Sequence, residues 1–156
     1  MASTTVRVSE ETHELLRKLA AATGEPLQRV LERAVENYRR EQFFAELDAA
    51  YARLQADPTA WEEELAERAL WEATLADGLD DLWGPFVAVP FTTRRRDLPI
   101  HVEVRPPDGG LREVSFAMCE QIRSLAVDRL GPQPFGSVPA TVLGAVEARL
   151  RLLLAL

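Results

Sequence analysis

Thr5 and Arg7 are the first residues of the chain whose types and spacing suggest a chemical role. They alternate with Val6 and Val8, so a strand would place them on one face and the two valines on the other. An arginine can hydrogen-bond bidentately to guanine in the DNA major groove, and a threonine can contact the methyl group of thymine. The pattern predicts a strand at residues 4–8 that reads DNA through Thr5 and Arg7, with Ser3 just before it as a further DNA-binding residue. The alternative is an ordinary half-exposed strand with a solvated Arg7.

Two helices are predicted to follow this strand and to position it. Ser9 is a favourable N-cap for the first helix, Gly24 is suited to ending it, and Pro26 suits the first position of the second. The apolar stripe of the second helix is expected to consist of Leu27, Val30, Leu31, Ala34, Val35 and Tyr38. About 40 residues of this kind rarely bury enough apolar surface alone. We therefore expect two copies of the chain to pair their strands into an antiparallel ribbon.

The first quarter of the chain resembles the ribbon-helix-helix antitoxins and repressors. The resemblance rests on the sequence TVRVSEETH at residues 5–13, on Gly24 and on AVENYRR at residues 34–40. It implies a homodimer that binds operator DNA and represses its own operon. One departure is the turn at residues 24–26, where many relatives offer a serine or lysine to a DNA phosphate and this chain has Gly-Glu-Pro.

The middle of the chain is strongly acidic, with twelve Asp and Glu against two Arg between residues 41 and 82. At helical spacing its large apolar residues share one face, and these are Trp61, Leu65, Trp71, Leu75 and Leu79. The acidic side chains around that face are Glu62, Glu63, Glu64, Glu67 and Glu72. Such a helix fits a positively charged groove on a partner, where it would compete with nucleic acid. The alternative is that the tryptophans pack in the core of this chain.

Residues 61–79 also resemble the toxin-neutralising tail of MazE-like antitoxins, which implies that the five apolar residues bind a toxin. The part that follows resembles the MazF/PemK toxins, ribosome-independent endoribonucleases built on a small β-barrel. The matching sequences are VPFTT at residues 89–93, LPIHV at 98–102, CEQIR at 119–123 and RLG at 129–131, together with the leucine-rich final helix. Strands are predicted at residues 86–91, 98–104 and 114–122, a turn at 106–110, and a terminal helix opening at 137–139.

The resemblance implies a catalytic role for Thr92 as the hydroxyl that helps hold the scissile phosphate. In the family the 2′-hydroxyl of the RNA is the nucleophile, so neither a metal nor a cofactor is expected. The arginine that works with the hydroxyl normally lies in an opening segment of two strands, and that segment is missing here. Arg94, Arg95 and Arg96 follow Thr92 in a loop, where they form either an RNA-affinity patch or a solvated turn. An inactive toxin remnant is therefore expected, and an active endoribonuclease is the alternative.

Two further side chains are assigned to structure rather than to chemistry. His101 is placed on a strand, where a single histidine is more often structural than a general base. Cys119 is expected in the core, and one cysteine permits neither an internal disulfide nor a zinc cluster. The sequence shows no signal-peptide pattern and no apolar run of membrane length, so a cytoplasmic protein is expected.

The predicted fold class is α+β, in three parts. Residues 1–42 are expected to form a dimeric ribbon-helix-helix module, residues 43–82 an acidic helical toxin-binding segment, and residues 83–156 an incomplete β-barrel with a C-terminal helix. The unpaired barrel edges would be covered by residues 61–79 of the same chain or by a second copy. The predicted function is that of an operator-binding antitoxin fused to a toxin remnant, with operator DNA and a second copy as partners. RNA, or a separate MazF-like toxin, is the alternative partner.

Overall fold

The computed structural model describes residues 4–72 and 85–156 of the 156-residue chain. Its helices are α1 (Glu10–Thr23), α2 (Leu27–Gln55), α3 (Pro58–Glu72) and α4 (Ala140–Leu154). Its strands are β1 (Pro85–Ala88), β2 (Phe91–Thr92), β3 (His101–Val104), β4 (Ser115–Met118) and β5 (Arg123–Ala126). The chain separates into two compact units, Met1–Gln42 and Phe43–Leu156, with the boundary inside α2. Within the described ranges no helix is both long and apolar enough to cross a membrane.

Short-range signals set the helix ends of the first unit. The Ser9 hydroxyl caps α1 by accepting a hydrogen bond from the backbone N–H of Thr12 at 3.2 Å. Gly24 follows α1 with a φ of 70°, a left-handed conformation that favours glycine. α2 begins directly after Pro26. The predicted ends of α1 are therefore confirmed, whereas α2 begins one residue after Pro26, the first helical position that was predicted.

In the single chain, residues 4–9 lie in no helix or strand, so the strand expected at residues 4–8 is not formed. A strand needs a hydrogen-bonded neighbour, and the neighbour expected here is the same segment of a second copy. The large apolar side chains that remain exposed in this unit are Val6, Val8, Leu15, Leu19, Val35 and Tyr38. Among its described residues, only Leu16 and Val30 are buried. The first unit thus has little core of its own.

The connection between α2 and α3 is short. α2 continues through the acidic part of the chain to Gln55 and spans 29 residues. Asp57 then caps α3, because its Oδ1 accepts hydrogen bonds from the backbone N–H groups of Thr59 and Ala60, both at 3.1 Å. Pro58 occupies the first helical position, where a missing N–H leaves no hydrogen bond unmade. The helix break therefore lies just before Pro58, and only two residues separate the helices.

Two small antiparallel sheets follow in the described part of the second unit. β2, β4 and β3 form one sheet in that order, with Thr92 opposite Phe116 and His101 opposite Met118. β1 and β5 form the other. The buried core of the unit consists of Leu47, Ala50, Leu98, Ile100, Val102, Ala117 and Cys119, with α4 side chains packed against it. The sheets are open rather than closed, which agrees with the expected incomplete barrel.

All three strands predicted for this part of the chain are shorter in the structure. The strand expected at residues 98–104 begins only at His101 and forms β3. The strand expected at residues 86–91 is divided into β1 and β2, which belong to different sheets. The strand expected at residues 114–122 ends at Met118, because the backbone turns over Cys119–Gln121 before β5 begins at Arg123. Because of this turn, the strands on either side of it belong to different sheets. β4 pairs with β2 and β3, whereas β5 pairs with β1.

The turn between β3 and β4 packs against the segment that precedes α4. The N–H of Gly109 donates a hydrogen bond to the carbonyl of Ser137 at 2.9 Å. Gly110 has a φ of 71°, and a Cβ added there would lie 2.1 Å from the carbonyl oxygen of Phe135. Both the backbone conformation and the lack of space therefore require glycine at position 110. The predicted turn at residues 106–110 is confirmed.

Candidate functional site

Thr92 ends β2 with 5% of its surface exposed. Its Oγ1 accepts a hydrogen bond from the backbone N–H of Arg94 at 3.1 Å, which turns the chain into residues 93–97, the arginine loop. The Thr92 side chain also hydrogen-bonds to the carboxylate of Glu67 on α3. Thr92 therefore shapes the arginine loop and links it to α3, while its hydroxyl is nearly closed to solvent.

Arg96 is the most enclosed of the three arginines in the loop, with 4% of its side chain exposed. Its Nε lies 2.5 Å from Glu64 Oε2, and its Nη2 donates to Glu67. Glu64 also accepts a hydrogen bond from Arg68 Nε at 2.5 Å, so one carboxylate joins two guanidinium groups. The remaining nitrogen of Arg96, Nη1, is buried and makes no hydrogen bond. Such a buried cluster depends on every partner, because removing one leaves a charge without compensation.

Arg94 and Arg95 have environments that differ from that of Arg96, although all three were expected to share an RNA-affinity patch or a solvated turn. Arg94 Nη1 lies 2.8 Å from Glu63 Oε2, and both side chains are about half exposed. Arg95 Nε lies 2.6 Å from Asp97 Oδ1, and both of those side chains are largely exposed. The arginine loop thus directs Arg94 and Arg96 to α3, whereas Arg95 pairs within the loop itself.

α3 meets the arginine loop with a charged face, a contact that was not predicted from the sequence. Glu64 is buried, Glu67 and Arg68 are half-buried, and Trp61 is half-buried one turn earlier. Leu65 is 47% exposed and takes no part in these ion pairs. The reason is that the surface opposite α3 carries guanidinium groups, which carboxylates can pair and a leucine cannot.

The other predicted binding residues are placed as follows. Thr5 and Arg7 are exposed in the first unit. Trp71 lies within α3, and Leu75 and Leu79 lie outside the described residues, as does Ser3. The structure therefore brings together Thr92, Arg94 and Arg96 with the carboxylates of Glu63, Glu64 and Glu67, and these side-chain pairs were not predicted from the sequence.

Thr92 and the arginine loop lie in a segment that is similar to a known protein family. Residues 79–154 match the family model of the PemK-like, MazF-like toxin of type II toxin–antitoxin systems. The match confirms the MazF/PemK-like character predicted for this part and supports a toxin–antitoxin protein. This toxin-like segment begins after α3, so it contains Thr92 and the arginine loop but none of the α3 carboxylates. The comparison with curated proteins found no match.

A second set of contacts holds α3 to α2 beside the toxin-like segment. The guanidinium carbon of Arg68 lies 5.4 Å from the ring centroid of Tyr51 and 5.8 Å from that of Trp61. Both distances are within the range of cation–π attraction. Burial, together with the negative charge of Glu120, raises the pKa of Tyr51 to about 12. Tyr51 therefore remains a neutral phenol at physiological pH, and Arg68 connects both rings to Glu64.

His101 and Glu120 form a separate pair inside the toxin-like segment. His101 Nε2 lies 2.8 Å from Glu120 Oε1, and the imidazole is almost fully buried. Nδ1 of His101 and Oε2 of Glu120 are buried without a hydrogen bond. The closed position of the imidazole agrees with the structural role predicted for His101.

Cys119 is fully buried in the core, as predicted. Burial, with the nearby charge of Glu120, raises the pKa of its thiol to about 11. Because the thiolate is the nucleophilic form, this thiol is unreactive at neutral pH. In the part of the chain that the structure describes, no group of three or more His, Cys, Asp or Glu side chains could hold a metal ion.

Acidification is expected to weaken the contact between α3 and the arginine loop. Burial alone would raise the pKa of the Glu67 carboxyl, but hydrogen bonds with Arg96 and Thr92 and the charges of Arg96 and Arg94 hold it below its ordinary value. A lowered pKa stabilises the fold above the unfolded-state pKa of about 4.3, and this contribution is lost as the pH falls further. The stabilities of the wild type and of Glu67→Gln should therefore differ at neutral pH and converge below about pH 4.

Urea unfolding midpoints at a series of pH values measure this convergence. Glu72→Gln is the matched control, because Glu72 is an exposed carboxyl on the last turn of the same helix. Its midpoint should follow that of the wild type across the whole series. A deficit for Glu67→Gln that stays constant down to about pH 3 would show that the carboxylate charge does not stabilise the contact.

Proposed function

We propose that the chain is a toxin–antitoxin protein that binds operator DNA as a dimer and carries a toxin-like segment that does not cleave RNA. The DNA-binding part of the proposal is carried by the segment before α1. Thr5 and Arg7 are exposed there, and so are Val6 and Val8, which alternate with them. A second copy that paired with this segment would bury the valines and leave Thr5 and Arg7 on the outer face of a ribbon.

The exposed apolar residues of the first unit support a dimer. Val6 is 72% exposed, and leucines on α1 together with Val35 and Tyr38 on α2 are also exposed. Soluble monomers rarely leave so many large apolar side chains in water within about 40 residues, and a unit of that size seldom folds alone. Pairing of two first units would give these side chains a common core.

The toxin-like segment is proposed to be inactive because its family-implied groups are engaged elsewhere. Thr92 is nearly closed to solvent and hydrogen-bonds to Glu67, and Arg96 is buried between two carboxylates. A catalytic group must lie within hydrogen-bond distance of the reacting atoms. Here the carboxylates of α3 occupy the positions next to Thr92 and Arg96. Arg95 is exposed, but it pairs with Asp97 inside the arginine loop and not with the carboxylates that contact Thr92 and Arg96.

Operator binding is tested by titrating the purified chain onto its upstream DNA duplex and onto a scrambled duplex at several salt concentrations. Arg7→Ala should weaken binding to the upstream duplex by about 1–3 kcal/mol and remove most of the preference over the scrambled one. Loss of a purely phosphate-binding arginine would instead lower both affinities and reduce the salt dependence.

Arg17→Ala is the matched control, since Arg17 is an exposed arginine on α1 and its loss changes the net charge equally. It should leave the ratio between the two duplexes unchanged. The proposal fails if the wild type shows no preference between the duplexes. It also fails if Arg7→Ala remains dimeric and keeps the full preference of the wild type.

A further inference from the structure

We propose that a cleft between α2 and the end of the arginine loop binds an elongated zwitterion, a molecule whose ammonium group and carboxylate are separated by an apolar chain. The cleft has a volume of about 400 Å³, within the range of small-molecule sites. It is lined by Glu46, Ala49 and Arg53 of α2 and by Asp97, Leu98 and Pro99. The inference goes beyond the proposed function and depends neither on operator binding nor on the contact between α3 and the arginine loop.

The floor of the cleft is apolar and fixed in place. Leu98 belongs to the buried core, and Pro99 is half-buried beside it. The carbonyl of Leu98 accepts a hydrogen bond from the backbone N–H of His101 at 3.0 Å. The carbonyl of Pro99 accepts one from Arg149 Nε at 3.4 Å. Because both residues are held from within the chain, the floor exists before any ligand arrives, as in most small-molecule sites.

Two opposite charges on α2 lie at the rim of the cleft. Glu46 and Arg53 share one face of the helix with Ala49, and two helical turns place their Cα atoms about 10 Å apart along the axis. Side chains on a helix pair when they are three or four residues apart, as Arg39 and Glu36 do at 2.7 Å. Among residues 4–72 and 85–156, neither the Glu46 nor the Arg53 side chain has an ion-pair or hydrogen-bond partner. Both charges are therefore available to a ligand.

The balance of charge in the cleft selects a zwitterion. The third charged residue, Asp97, is already paired, because its Oδ1 lies 2.6 Å from Arg95 Nε. One carboxylate and one guanidinium therefore remain without a partner. The carboxylate of Glu46 can accept hydrogen bonds from an ammonium group, and the guanidinium of Arg53 can bind a carboxylate bidentately. An apolar chain between the two charges of the ligand would lie over Leu98, whereas an ion of a single sign would leave one rim charge unmatched.

The test is a nuclear magnetic resonance titration of the full chain with ω-aminooctanoate, whose extended length matches the separation of Glu46 and Arg53. The amide signals of residues 46–53 and 97–99 should shift and reach saturation. ω-Aminobutanoate is too short to reach both charges and should bind about fivefold more weakly or worse. Octanoate and octylamine each carry only one of the two charges and should show the same loss. Equal affinities for all four compounds would overturn the proposal, because the cleft would then not recognise two charges.

Exchange of the two rim charges assigns the binding to this cleft. Glu46→Arg should weaken the binding of ω-aminooctanoate about tenfold, because both rim charges would then be positive. Addition of Arg53→Glu should restore the affinity to within about twofold of the wild type, since the ligand can bind in the opposite direction. Asp48→Arg is the matched control, because it makes the same change of charge at an exposed position of α2 that does not line the cleft. It should alter the affinity by less than about twofold. An equal loss in Asp48→Arg and Glu46→Arg, or a double variant that is not restored, would overturn the proposal.

A free tripeptide identifies the source of the zwitterion. Its charged termini lie about 10 Å apart when the peptide is extended. Ala-Leu-Ala with free termini should therefore shift the same amide signals, whereas the acetylated and amidated form, which lacks both charges, should not. Binding of the free tripeptide identifies short peptides as ligands, and binding of ω-aminooctanoate alone identifies an aliphatic zwitterion. If neither compound shifts the signals of residues 46–53 and 97–99, the cleft is not a zwitterion site.

Discussion

Replacement of Arg96 by alanine is expected to lower the free energy of unfolding by about 3–5 kcal/mol, because a buried ion cluster would lose its central cation. Arg96 pairs with Glu64 and Glu67, and neither its own side chain nor that of Glu64 is appreciably exposed. Without the guanidinium, Glu64 would keep only Arg68 as a partner, and Glu67 would keep only Thr92 among its hydrogen-bonded neighbours in the cluster. The carboxylates of Glu64 and Glu67 would then remain largely shielded from solvent without a full compensating positive charge.

Chemical denaturation followed by circular dichroism measures this loss. Arg95→Ala is the matched control, since Arg95 is the adjacent arginine and pairs only in solvent with Asp97. The unfolding midpoint of Arg95→Ala should stay with that of the wild type, whereas that of Arg96→Ala should move far below it. Equal midpoints for the two variants would mean that the buried cluster does not stabilise the fold.

Gly110→Ala is expected to destabilise the second unit by about 3 kcal/mol, since it combines overpacking with a disfavoured backbone conformation. The new Cβ would lie 2.1 Å from the carbonyl oxygen of Phe135 and 2.6 Å from its carbonyl carbon. Both are backbone atoms, so no side-chain rotation relieves the clash. The φ of 71° at this position is a further cost for any residue with a Cβ.

Gly144→Ala is the comparison, because its expected effect on stability has the opposite sign. Thermal unfolding measures both variants. Gly144 lies within α4, and a Cβ added there meets no atom within 4 Å. Alanine in a helix interior is favoured over glycine by about 0.5–1 kcal/mol, so this variant should unfold at a higher temperature than the wild type. A shift of the same sign for Gly110→Ala and Gly144→Ala would contradict the packing described for the β3–β4 turn.

Local signals in the sequence were sufficient to predict the helix ends. Ser9, Gly24 and Asp57 act on backbone groups at most three residues away, so each could be identified from its immediate neighbours. The same holds for the turn that contains Gly110. The predicted strand at residues 114–122 was wrong in its length, because an apolar run does not show where the backbone changes from one sheet to another.

The candidate site was predictable in part. Thr92 and the three arginines could be located from the resemblance to MazF/PemK toxins, whereas the inner face of α3 could not. Periodicity favours an apolar inner face, but the residues that oppose a helix decide which face turns inward. Here the deciding contact joins Glu67 and Arg96, which are 29 residues apart. The available signal was the charge match between the acidic run at residues 62–64 and the arginine run at residues 94–96.

The buried position of Arg96 also constrains how this chain can diverge over time. A lineage that lost Glu64 or Glu67 first would carry an uncompensated guanidinium, and one that lost Arg96 first would carry unpaired carboxylates. Neither route passes through a stable single-step intermediate, so substitutions at these three positions are expected to arise together or in quick succession. Arg95 is under no such restriction, because its contact with Asp97 lies in solvent. In an alignment of sequences descended from this chain, the residues at positions 64, 67 and 96 would therefore covary, while the residue at position 95 would vary independently.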